Sequence, residues 1–107
     1  MYSAAFIFRP GQYDAEFHRL NDLIDQAALA TPGYIGAETW RSDDGSTLNA
    51  TYYWDTLDSL RAFSRHKHHL EAKQQYSRWY DGYHIVVSEI LRSYGDAGIT
   101  HLTPGAR

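Results

Sequence analysis

The chain has no cysteine, which excludes disulfide staples, thiolate nucleophiles, zinc–thiolate sites and iron–sulfur clusters together. Its ten Lys and Arg residues, against thirteen Asp and Glu, never gather into a run. The phosphate-neutralising surface of a nucleic-acid binder is therefore missing. No apolar stretch approaches the ~20 residues that cross a bilayer. The opening MYSAAFIFRPG has a short apolar run with no basic segment before it, so it reads as a strand rather than a leader. Nor is there a phosphate loop, a dinucleotide fingerprint or a Ser-His-Asp arrangement, because Gly33 and Gly36 fall in a turn and a strand rather than at a strand-to-helix junction. These absences lead us to expect a cytoplasmic protein whose partner is neither nucleic acid nor membrane.

What is abundant is aromatic. Rings make up 15% of the 107 residues, including nine Tyr, and a single domain of this length struggles to bury them all in one core. A ligand pocket or a subunit interface is the natural place for the surplus.

Pro10-Gly11, Thr31-Pro32-Gly33 and Asp43-Asp44-Gly45 punctuate the first half of the chain. Tyr2 to Arg9 reads as a strand. Tyr13 to Ala30 carries Phe17, Leu20, Ile24, Ala27 and Ala28 at helical spacing. Tyr34 to Arg41 and Thr47 to Trp54 form an antiparallel hairpin across the Asp-Gly turn. Thr56 is the expected N-cap of a helix with inner residues Leu57, Leu60 and Phe63; it bends near Ser64 to His68, continues to Tyr80 and closes at Asp81-Gly82. His84 to Tyr94 alternates as a last strand. This order, β-α-β-β-α-β, predicts an α+β, ferredoxin-like fold: a four-stranded antiparallel sheet with both helices on one face. The domain is expected to span residues 1–94 and a tail residues 95–107. Apolar residues on both sides of the third and fourth strands imply a second cover, most simply a second copy of the sheet in a homodimer.

Several motifs then resemble one family. Pro32-Gly33-Tyr34-Ile35-Gly36-Ala37-Glu38, Tyr53-Trp54-Asp55-Thr56-Leu57, His66 and His69 ahead of Glu71-Ala72-Lys73, and Trp79-Tyr80 with Tyr83 are similar to antibiotic-biosynthesis-monooxygenase-like domains of the dimeric α+β barrel superfamily. The resemblance implies a homodimeric barrel with a pocket between sheet and helices. Some relatives oxidise polyketide-derived phenols or quinols with oxygen and no metal or flavin. The match departs from that branch where an Asn and a Tyr flank the strand Trp, because Ala50 and Leu60 stand there. It departs from the haem-degrading branch at Phe63 and Lys73, which disfavours haem degradation.

Oxygenation without a cofactor needs an electron-rich aromatic substrate, a base and apolar walls. His69 is the expected base or substrate hydrogen-bond partner, and His66 lies one helical turn before it on the same face. Trp54, Tyr52, Tyr76, Trp79 and Tyr80 are the rings expected to hold a flat ligand. Two imidazoles make an incomplete metal site, so neither metal nor cofactor is expected. The functional reading is a cofactor-independent monooxygenase-like protein acting on a small aromatic, quinol-like or polyketide-derived molecule. A non-catalytic small-ligand-binding or accessory barrel, and a proton-shuttling isomerase or cyclase, stand beside it.

Overall fold

The computed structural model describes residues 1–103. Strand β1 (Tyr2–Pro10) leads to helix α1 (Ala15–Ala30), whose N-cap Asp14 accepts a hydrogen bond from the Phe17 N–H at 2.9 Å. Thr31 closes this helix, and Gly33 turns the chain with φ +91°. A Cβ at Gly33 would collide with the Ser59 hydroxyl and stand 3.0 Å from Ser59 Cβ, so both conformation and space demand glycine. The hairpin β2 (Tyr34–Arg41) and β3 (Leu48–Trp54) follows. As expected, Thr56 then caps α2 (Leu57–Ser64), accepting from the Ser59 N–H at 3.1 Å.

The predicted bend is a full break. Arg65 and His66 separate α2 from α3 (Lys67–Gln74), and a single turn, α4 (Tyr76–Trp79), ends the helical run. The last strand differs more from expectation: β4 spans Tyr80–Glu89, not His84 to Tyr94. Asp81-Gly82 lie inside it rather than closing a helix. Pairing explains both ends, because β4 can extend only as far as β1 provides partners. Tyr80 meets Pro10 at one end, across a register shift at Arg9/Pro10, and Glu89 meets Tyr2 at the other. Beyond that, Ile90 donates only to the Met1 carbonyl, at 2.9 Å.

The sheet order is β2-β3-β1-β4, every pair antiparallel, and with helices on one face this is the expected ferredoxin-like architecture. Trp54, Leu60, Phe63, Ala27 and Ala28 form the buried core, with Tyr34 and Tyr52 packed on it. The opposite face is less apolar than the alternation of β3 and β4 implied. Arg9, Glu38, Asn49, Thr51, His84 and Ser88 stand there with Ile7, Trp40 and Val86. On the edge strand β4, Ile85, Val86 and Val87 are half-exposed on alternating faces. No helix among the described residues is long and apolar enough to cross a membrane.

The expected tail lies within the described residues as far as Thr103; residues 104–107 fall outside them. It folds back onto its own sheet, where Leu102 touches Gly36.

Candidate functional site

The expected ring-lined site divides into two clusters between sheet and helices. At the end of β3, Trp54 is fully buried, with Tyr34 at 4.8 Å and Phe63 at 5.0 Å between ring centroids. Phe63 also carries Tyr52 at 6.0 Å and His69 at 5.1 Å. Strand alternation points Tyr52 and Trp54 to the helix side, while the break after α2 lets α3 lay His69 over the same ring.

Burial sets the chemistry here. The His69 imidazole is pushed down to about 4 by desolvation, with Lys73 adding and the Ser64 backbone carbonyl opposing, so it is neutral at pH 7. The Tyr52 phenol is pushed up to about 12, again by burial, with Asp25 and Tyr34 contributing. Three buried nitrogens here and on α3, Trp54 Nε1, His68 Nδ1 and His69 Nδ1, have no hydrogen-bond partner among the described residues. Such atoms are rare enough that each calls for an explanation.

The second cluster surrounds Tyr80, whose ring meets Phe6 and Phe8 at 5.2 Å and Tyr13 and Phe17 at 6.0 Å. Desolvation raises its phenol well above the ordinary range, with the Tyr13 and then the Tyr52 phenol acting in the same direction. Trp79 is buried and tied at Nε1 to Asp14 Oδ1 at 3.0 Å. Tyr76 is half-exposed and packs on Tyr83 at 4.8 Å, outside both clusters.

His66 does not share a helical face with His69. It is the extended N-cap of α3, and its Nδ1 accepts from the His68 N–H at 3.3 Å. The helix break that creates the cap removes the three-residue helical relation, although His66 stays near enough to depress His69 further. His68 Nδ1 lies 3.8 Å from Glu71. Among the described residues no group of three or more acidic or imidazole side chains is placed to hold a metal ion.

Between the layers, a crevice of about 30 Å3 touches Phe17, Leu20, Ala72, Trp79 and Tyr80, room for about one water. A larger open hollow of about 310 Å3 lies elsewhere, along Ile7, Arg9, Thr47, Gly82 and His84. It contains none of the expected site residues. The chemistry and not the volume marks the site, since the three unpartnered nitrogens and the shifted Tyr52, His69 and Tyr80 lie on the helix side.

Sequence reasoning missed Tyr34 as a wall of this site. Its alternation with Ala37, Thr39 and Arg41 assigns it to the other face, and only a one-residue register slip between Tyr34 and Gly36 turns it inward. The glycine at position 36 was the one available signal. It also missed Asp25, a carboxylate raised by desolvation and by Asp22, whose charge reaches Tyr34 and Tyr52.

Comparison with known proteins agrees with the motif reading. The model of the family described as Monooxygenase af470-like matches residues 9–88. A Bacillus subtilis (strain 168) protein, uncharacterized YqjZ, is 27% identical over 92 residues, covering 85% of this chain and 80% of its own. Among solved structures, SnoaB, a cofactor-independent oxygenase from Streptomyces nogalater, superposes with a TM-score of 0.67 at 13% identity, covering 86% of this chain and 94% of its own. Rv0793 from Mycobacterium tuberculosis gives a TM-score of 0.65 at 17% identity, covering 88% and 98%. The expected kinship with antibiotic-biosynthesis-monooxygenase-like domains, and the expected fold, both hold.

Proposed function

Because the chain belongs to the monooxygenase af470-like family, we propose that it holds a flat, electron-rich phenol or quinol between sheet and helices and oxygenates it without metal or flavin. The observation that carries this reading is the pair of buried, unpartnered nitrogens around Phe63: Trp54 Nε1, which can only donate, and His69 Nδ1. A neutral imidazole leaves Nδ1 as an acceptor in one of its two tautomers. A donor and an acceptor set among rings suit a ligand bearing both a carbonyl and a phenolic hydroxyl. The likeness to SnoaB, itself a cofactor-independent oxygenase, supports oxygen as the co-substrate.

The reaction balances without a reductant. A phenol with a free ring position becomes a quinone as dioxygen places one atom on the ring carbon and leaves with the other as water. The four electrons that dioxygen takes come from the substrate. His69 is too weak a base to hold a phenol proton at rest. Once an electron has left the ring, however, the phenolic proton becomes strongly acidic, and a neutral imidazole in hydrogen-bond reach accepts it. Trp54 Nε1–H steadies the oxygen on which negative charge grows.

Access requires α3 to lift, since Trp54 is fully buried and His69 lies over Phe63 beside it. None of the α3 residues is fully buried, and breaks at Arg65–His66 and Gln75 flank it. His66 sits at the first of these, capping the roof it hinges. The functional form in this reading is a cytoplasmic homodimer, in which a second copy covers the bare β4 edge.

Oxygen uptake with a panel of phenols and quinols tests the proposal. We expect His69→Ala to reduce turnover by about 100-fold and Trp54→Phe to weaken it while the chain stays folded. Oxidation unchanged by either substitution overturns the site assignment. Ala50 and Leu60, where the oxygenase branch carries Asn and Tyr, favour as a second reading a non-catalytic binder; ligand binding without oxygen uptake would establish it.

A further inference from the structure

The face of the sheet turned from the helices carries a structure that the oxygenation chemistry does not use. After β4 the chain turns at Asp96–Gly98, where the Gly98 N–H donates to Asp96 Oδ1 at 2.8 Å and Ala97 takes φ +71°. Residues 101–103 then lie on β2 and β3. His101 Nε2 stands 3.0 Å from Glu38 Oε1, and the Tyr53 hydroxyl donates to the same oxygen at 2.6 Å. The Thr103 N–H donates to His101 Nδ1 at 3.1 Å, with the Thr103 hydroxyl 2.8 Å from that nitrogen and bonded in turn to Ser93. Because Nδ1 must offer a lone pair to a backbone N–H, the imidazole proton is on Nε2 and points at Glu38. Thr103, His101 and Glu38 resemble the line of a nucleophile, base and carboxylate. Thr103 is buried, however, and its own N–H occupies the nitrogen that a base would need. The network is an anchor.

What it anchors is the irregularity of β2. A Cβ at Gly36 would stand 3.2 Å from Leu102 Cδ2, so Leu102 packs directly on that backbone. Gly36 has φ +155° and adjoins the register slip at Ile35. The slip is what brings Tyr34 to the helix side and onto Trp54 at 4.8 Å. A slip of this kind is the device by which a strand re-aims one side chain. Here it is clamped from behind, by Leu102 on the backbone and by His101 through Glu38 to Tyr53, the residue before Trp54.

We propose that the C-terminal strap is a positioning element, in which His101 and Leu102 hold the Ile35–Gly36 slip closed and so fix Tyr34 against Trp54 at the front of the sheet. The strap touches nothing that a ligand on the helix side would touch. It acts through two strands, on the ring geometry of the site wall.

The test begins without any ligand. In the full chain, the Tyr34–Trp54 ring NOE and the Trp54 indole N–H resonance are compared between wild type, Leu102→Ala, His101→Ala and the double variant. We expect the double variant to lose the NOE and shift the indole resonance while the β1 and β4 amide resonances stay in place. His101→Gln, whose amide can still donate to Glu38, should retain most of the wild-type spectrum. An unchanged NOE and indole resonance in the double variant overturns the proposal. If that variant does not fold, Leu102→Ala alone decides by the same two signals.

A second arm rests on the proposed ligand site: anaerobic titration with 1,4-naphthohydroquinone should show binding weakened roughly tenfold in the double variant. Should wild type bind no quinol, the ligand reading falls, and the spectra still decide the positioning role.

Discussion

Asp14 and Trp79, 65 residues apart, are joined by a 3.0 Å hydrogen bond from the indole Nε1 to Asp14 Oδ1, the same oxygen that accepts the Phe17 N–H at the start of α1. Arg78 reaches the other carboxylate oxygen at 2.8 Å. The helix cap, the Phe17 N–H first among its partners, holds the carboxyl below its ordinary range. One side chain thus starts α1 and fixes the turn that feeds β4. Asp14→Ala should lower the melting temperature through loss of a cap and an unpaired buried indole, and Asp14→Asn should recover much of the loss. Thermal unfolding of the two variants checks this; equal melting temperatures would remove the shared role.

His69 makes stability depend on pH. Its folded-state value of about 4 lies below the ordinary 6.5, so between these values the unfolded chain binds the proton that the folded chain refuses. The contribution is constant above pH 6.5, is lost as pH falls from 6.5 to 4, and is constant again below. The loss is on the order of 3 kcal/mol. Urea unfolding at a series of pH values should show this slope in wild type and a flatter one in His69→Gln.

Gly33 should not tolerate a side chain. Gly33→Ala forces φ +91° on an L-residue and drives Cβ into Ser59; we expect a destabilisation of more than about 1 kcal/mol. Ser59→Ala in the same chain should recover only the clash with the hydroxyl, since Ser59 Cβ still stands 3.0 Å away and the backbone strain remains. A double-mutant cycle on denaturation midpoints separates the two.

The β4 edge should mediate self-association. Ile85 and Val87 are 45% and 53% exposed on one face and Val86 is 42% exposed on the other, so a partner must wrap the edge rather than cover one side. Light scattering at micromolar concentration should report a dimer for wild type and a monomer for Val87→Lys. A wild-type monomer would remove the interface.

Much of this molecule was legible in order. The Asp-Gly turn, the Thr56 cap and the Thr31-Pro32-Gly33 stop are local chemistry, and each is found where its residues are. Trp54 and His69 both pack on Phe63, because a strand end and the helical run after it lie close. His66 was misplaced because a helix break of two residues changes which side chains share a face, and propensity alone does not say where a helix snaps.

The amino-acid sequence by itself determined the element types, their order and the α+β topology, because alternation, caps and turn residues act over a few positions. Only the tertiary structure decided the extent of β4, whose ends are set by the length of β1, and the inward turn of Tyr34, which depends on a register slip held by Leu102 from the far end of the chain. It also decided that His69 is neutral, since desolvation is a property of everything packed around a group and not of its neighbours in sequence.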